Sequence, residues 1–191
     1  MFLLLRNPML VAGDFLCYSN CGKKRERIPD QEVFMGIRRA QEKDAEDILR
    51  LLVQVNMVHH IGRPDLFKGP TTKYTKEELL ELLHDESRPV FVFTDETDSH
   101  VLGHAFCIFQ QVKESNLMTD IKTLYIDDIC VDENCRGRHV GKQLYEYVRN
   151  FAKENGCYNL TLNVWSCNES ALKFYENCGL RPYKIGMETI L

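Results

Sequence analysis

The stretch Arg136-Gly137-Arg138-His139-Val140-Gly141-Lys142 places four basic side chains where an apolar strand turns into a helix. Cations are disfavoured there, because a helix N-terminus carries about half a positive charge and each cation costs about 0.3–1 kcal/mol. An anion would offset them. With Gly137 and Gly141 keeping the backbone open, the stretch reads as a phosphate cradle of exposed N–H groups and helix dipole.

Outward from this turn, regular elements follow in both directions. Residues 123–131 read as a strand whose alternation changes phase: Leu124 and Ile126 share one face, which Ile129 and Val131 continue on odd numbers. One extra residue near Asp127-Asp128 accounts for the shift, the footprint of a β-bulge, which leaves backbone groups unpaired. Downstream, Val140, Leu144, Val148, Phe151 and Ala152 trace a helix that stops near Asn155-Gly156. Residues 158–164 predict another strand. Ser166 and Glu169 have the capping-box spacing for a last helix ending at Gly179, and residues 183–191 predict a closing strand.

Nearer the start, residues 35–40 predict a short strand. Asp44 is the expected cap of a helix carrying Ile48, Leu51, Leu52, Val55 and Val58. A second helix is expected over 75–84, after a Pro- and Gly-punctuated segment, 59–74. Residues 89–94 and 101–112 predict an antiparallel pair. Residues 1–34 read as an N-terminal extension. Its apolar patches are broken by Arg6, Pro8 and Asp14, unlike a signal peptide, and 20–31 has the charge of a linker. The domain is expected over 35–191, with Met35 an alternative start.

A chain of 191 residues suits one domain with its own core. With 27% charged residues and a net charge of -4, it is neither a disordered chain nor a generic nucleic-acid binder. The 8 cysteines are scattered, without metal-ligand spacing, which predicts no metal, no disulfide framework and a reducing cytoplasmic setting. No run approaches 18 apolar residues, so no membrane partner is expected.

The ordered motifs over 123–180 resemble the GNAT superfamily of acetyl-CoA-dependent N-acetyltransferases. The family pattern R-x-x-G-x-G/A is met by Arg136 and Gly141, with His139 at the first glycine position. The pattern N-x-x-A-x-x-F/L-Y-x-x-x-G-F/L is met by Asn168, Ala171, Phe174, Tyr175, Gly179 and Leu180. Over about residues 35–191 the resemblance implies an α/β (α+β) fold. Its sheet would be mixed and largely antiparallel, with a bulged, splayed strand pair and flanking helices. It further implies acetyl-CoA as co-substrate.

On this resemblance, the backbone of Arg136, Gly137, Arg138, His139, Val140, Gly141 and Lys142 holds the CoA pyrophosphate. Arg136 or Lys142 adds charge-assisted contacts. His139, replacing a glycine, turns its ring from the phosphates or joins them. Ile129, Cys130 and Val131 pair through their backbone with the pantetheine arm like an added strand. Tyr175 is the expected general acid, since a phenol of pKa about 10 keeps its proton at pH 7; the alternative is a core tyrosine. Asn168 either contacts the cofactor or belongs to the helix cap.

The acceptor amine must first lose a proton, at about 4.6 kcal/mol for an alkylammonium at pH 7 against about 1 kcal/mol for an α-amino group. Asp127 is the first choice for the base and Asp128 the second, unless both merely solvate the kink. His59, His60, Arg63, Asp65 and Tyr74 are expected to wall the acceptor site, and Trp165 to plug or wall it.

Direct attack in a ternary complex is expected, because no histidine lies near Cys130 in sequence to activate it. A small-molecule amine is favoured over a peptide amine, either protein N-terminus or lysine. A non-catalytic acyl-CoA-binding module is the alternative class, against which Tyr175 argues. An NAD-type domain is excluded by the lack of G-x-G-x-x-G after the first strand. GNAT proteins often form homodimers, but no interface is legible.

Overall fold

Five strands hydrogen-bond in chain order: β1 (Ile37–Arg39), β2 (Val90–Thr94), β3 (Val101–Gln111), β4 (Lys122–Val131) and β5 (Asn159–Leu162). The computed structural model describes residues 36–191, so the expected extension over 1–34 lies outside the described residues. The first four strands are antiparallel neighbours, and β5 runs parallel to β4. A parallel neighbour needs a crossover, which α3 (Val140–Glu154) provides.

The sheet is buried on both faces. Val90, Val92 and Phe106 pack with Ile48, Leu51 and Leu52 of α1 (Ala45–Gly62) and Leu79 of α2 (Lys76–Leu83). On the opposite face Phe91, Ala105 and Leu124 pack with Val140, Leu144 and Val148 of α3 and with Phe174 of α4 (Glu169–Asn177). This double burial explains why β2 and β3 are almost continuously apolar.

The predicted bulge is present. Phe106 of β3 pairs with Asp128 and Cys107 with Ile126, so Asp127 is the extra residue on β4. Leu124 and Ile126 before it, and Ile129 and Val131 after it, therefore face the same α3-side core. Pairing of β4 with β5 ends at Ile126 and Leu162, one residue before the bulge. Beyond that point β4 has no neighbour on its β5 side among the described residues.

One expectation is met in part and two are corrected. Asp44 stands at the N-cap of α1 as expected, but its side chain makes no cap bond, because a 3-10 turn, Glu42–Asp44, precedes the helix. The buried Asp44 carboxylate bonds back to the Gln41 N–H (2.7 Å) and to both terminal nitrogens of Arg38. His59 and His60 belong to the last turn of α1 rather than to the following segment, because the apolar stripe through Val55 and Val58 carries the helix to Gly62. The closing strand over 183–191 is absent. Tyr183, Ile185 and Met187 alternate correctly but remain exposed, since a strand also needs a partner ladder and this segment joins none. Its described tie is an ion pair between Glu188 and Arg63.

Close approach of α3 to the sheet requires glycine at 103. A Cβ there would lie 2.8 Å from the Cys130 carbonyl oxygen and 3.0 Å from Leu144 Cδ1. The first contact is backbone and cannot rotate away. Gly103→Ala should therefore destabilise the protein by about 1–3 kcal/mol in denaturant unfolding; an unchanged midpoint would show that neither the β4 backbone nor α3 is pressed against β3 at this position.

Candidate active site

The turn from β4 to α3 is built before any ligand is considered. Asp132, buried at the end of β4, accepts from the Asn134 N–H (3.0 Å) and pairs with Arg50 of α1, while its own N–H donates to the Leu102 carbonyl (2.8 Å). These contacts fix the 3-10 turn Glu133–Cys135. Arg136, Gly137, Arg138 and His139 then emerge exposed. Gly137 (φ 78°) has nothing within 4 Å of a built Cβ, so its backbone borders open space.

His139 is the N-cap of α3 in left-handed conformation, φ 63°, and its side chain makes no cap bond. Glycine suits that conformation best, and histidine is among the side chains that adopt it more readily than most. The first turn of α3 contains no acidic residue. The N–H groups opening the helix lack intrahelical partners, and with the helix dipole they form a cradle for an anion. Gly141 serves packing: a Cβ would touch Val131 at 3.4 Å and Phe174 at 3.6 Å.

A second group of side chains gathers around the bulge. Lys73 forms an ion pair with Asp127. Asp128, opposite Phe106, faces the α1 side of the sheet, where Nε2 of the buried His104 is 3.7 Å from its Oδ2. The Asp128 charge also acts on His59 of α1 and on Tyr175 of α4. Burial lowers the His59 pKa and outweighs the raising effect of Asp128, so this ring is neutral at pH 7. Burial, assisted by Asp128, raises the Tyr175 hydroxyl well above an ordinary phenol. Cys130 is pushed up to about 12 by burial, which leaves its thiol protonated and unsuited to nucleophilic attack.

The expected acceptor wall is partly assembled. His59 stacks on Phe67 (5.0 Å between centroids), and Phe67 meets the Trp165 edge at 5.2 Å. His60 Nδ1 is 2.7 Å from the Phe67 carbonyl and holds this segment to α1. Arg63 and Asp65 pair with each other, with Glu188 on the other side of the guanidinium. Tyr74 is directed elsewhere. Its ring stacks on Phe106 and its hydroxyl accepts from Arg88 at 3.0 Å. Phe67, Lys73 and His104 were missed in the sequence; Phe67 alone carried a signal, as the one phenylalanine in a polar segment.

Helix α4 presents Tyr175 through two caps. The expected Ser166–Glu169 box does not form. Asn168 is the N-cap, accepting from the Ala171 N–H at 3.1 Å, because the helix starts two residues later than that box requires. At the other end, Gly179 (φ 88°) follows the helix while the Leu180 N–H reaches the Tyr175 carbonyl and the Gly179 N–H that of Glu176, a Schellman closure. The ends of α1 and α4 meet at an open cleft of about 400 Å³ lined by Val58, Ile61, Gly62, Cys167 and Asn168.

A model of the acetyltransferase (GNAT) family matches residues 55–180, from the second half of α1 to the end of the α4 cap. The chain belongs to the GNAT family. The glucosamine 6-phosphate N-acetyltransferase of Arabidopsis thaliana is 27% identical over 106 residues, 49% of this chain and 69% of the relative. That of Dictyostelium discoideum is 27% identical over 121 residues, 62% of this chain and 75% of its own. Among solved structures, a mutant of the BH1408 protein from Bacillus halodurans superposes with a TM-score of 0.77 at 30% identity, over 81% of this chain and 98% of that one. The GNAT fold thus extends across the described residues, and the protein is an acetyltransferase.

GNAT acetyltransferases use acetyl-CoA, and the chain's features fit two adjoining parts of it. The acid-free N-terminus of α3 suits the pyrophosphate, and the unpaired β5-side edge of β4 at Ile129, Cys130 and Val131 suits an extended amide-bearing arm. Asn168→Ala should cost about 1 kcal/mol of stability in denaturant unfolding, whereas Asn168→Asp should cost little. Equal losses would show that the cap bond does not hold α4.

Proposed function

We propose that this acetyltransferase moves the acetyl group of acetyl-CoA to the primary amine of a small molecule, by direct attack with both substrates bound. The observation that carries the reading is geometric: β4 parts from β5 after Ile126, and the bulge places the Asp128 carboxylate just beyond that gap. Burial, with the Asp128 charge adding to it, keeps the Tyr175 hydroxyl protonated. When bound, acetyl-CoA supplies an acetyl thioester. Asp128 takes a proton from the amine, directly or through water, and Tyr175 holds at its hydroxyl the proton that the departing sulfur needs.

Of the two expected carboxylates, Asp128 fits the base better. Asp127 is neutralised by Lys73, whereas the residues around Asp128 include the neutral His59 and the protonated Tyr175. A small acceptor is supported by the aromatic wall of His59, Phe67 and Trp165 and by the Arg63–Glu188 ion pair, which crowd the side an open peptide groove would need. The acceptor named for the relatives, glucosamine 6-phosphate, is of this kind.

Release of free thiol from acetyl-CoA over a panel of amines, aminosugars and peptides tests the reading. Turnover on small amines but not on peptides is expected; turnover confined to peptides would reverse the acceptor class. Tyr175→Phe should lower turnover by about a hundredfold or more while acetyl-CoA affinity stays close to that of the wild type. Asp128→Asn should lose most with strongly basic amines at low pH, because each pH unit below the amine pKa adds about 1.36 kcal/mol to deprotonation. Asp127→Asn should be milder. The opposite ranking of the two variants would return the base to Asp127.

A further inference from the structure

His104 lies in the middle of β3 and is completely buried. Its ring meets Phe106 edge-on, 5.0 Å between centroids, and neither ring nitrogen has a hydrogen-bond partner. Buried polar atoms are paired in most native structures, so an imidazole with two idle nitrogens inside a sheet calls for an explanation. Among the described residues, the carboxylate oxygen within 4.0 Å of Nε2 belongs to Asp128, at 3.7 Å. That distance is too long for a hydrogen bond and short enough for a rotation of the carboxylate to make one.

The register explains the juxtaposition. Cys130 is opposite His104 and Asp128 is opposite Phe106, so Asp128 is the diagonal neighbour of His104 on one face of the sheet. The bulge at Asp127 sets this parity; without the extra residue the carboxylate at 128 would face the other core.

We propose that His104 is the positioning residue for Asp128: its Nε2–H donates to the carboxylate once substrates are bound and aims the remaining oxygen at the amine. This rests on the acetyl-transfer reading above. Catalytic hydrogen bonds are often long in the free protein and tighten in the substrate complex, as this geometry requires. The imidazole is suited to the task because packing from Phe106 fixes the ring. The other titratable groups near Asp128 are His59 of α1, Lys73 ahead of α2, Asp127 and Cys130 of β4, and Tyr175 of α4. Lys73 is engaged by Asp127, which leaves the buried imidazole of β3 to orient the carboxylate.

The test combines kinetics with spectroscopy on the full chain. His104→Phe should lower kcat on the order of tenfold, with the KM for acetyl-CoA unchanged. His104→Gln, whose amide can reach the same carboxylate, should recover most of the loss. Added to Asp128→Asn, His104→Phe should cost little more. Additive losses, or no recovery with glutamine, would overturn the proposal. Nitrogen-15 spectra give a readout independent of turnover: with CoA and the acceptor amine bound, the His104 ring resonances should differ between the wild type and Asp128→Asn at constant pH. Unchanged resonances would overturn the pairing even if His104→Phe does not fold. Failure of the wild type to acetylate any amine would instead remove the acetyl-transfer reading on which the proposal rests.

Discussion

On β4, Asp127 and Asp128 together face a single position of β3, and one surplus residue organises what surrounds it. It returns Ile129 and Val131 to the core that Leu124 and Ile126 already occupy, so the hydrophobic face continues past the irregularity. It also puts Asp128 on the opposite face, toward His59, His104 and Tyr175. A bulged strand bends and twists more strongly. Here the bend falls where β5 stops pairing, and the unpaired edge of β4 begins at the carboxylates.

The second requirement is a helix N-terminus presented beside that edge. Gly103 and Gly141 let α3 sit close to β3, β4 and α4, and the Asp132–Arg50 pair anchors the turn leading into it. Lys142 is paired with Glu146 at 3.7 Å, but Arg136, Arg138 and His139 have no acid in the first helical turn, and their repulsion with the dipole is what an anionic ligand would relieve. In acetyl-CoA the pyrophosphate adjoins an arm that carries amides, which suits the two adjoining features together. The base and acid proposed here stand at the far end of the same edge.

The sequence made the backbone legible where period and turn chemistry agree. The phase change between Ile126 and Ile129 located the bulge to the pair Asp127-Asp128, and the register with β3 assigns it to Asp127. Gly156 and Gly179, both at positive φ, marked real helix ends. The failures have physical causes. Ser166 and Asn168 are both good caps, and only the path of the chain out of β5 selects Asn168. Tyr183, Ile185 and Met187 have strand alternation, but alternation does not supply a partner. His104, Phe67 and Lys73 acquire their meaning from contacts with Asp128, Trp165 and Asp127, distant in the chain, which no local pattern encodes.

Amide hydrogen exchange with and without acetyl-CoA tests the central claim most directly, because the N–H groups opening α3 and those on the free edge of β4 have no strand or helix partner to slow them. The account predicts that saturating acetyl-CoA slows exchange at Val140, Gly141 and Lys142 and at Ile129 and Val131, whose N–H groups point away from β3, while the amides of α2 stay unchanged. Slowed exchange elsewhere with these two segments unaffected would contradict it.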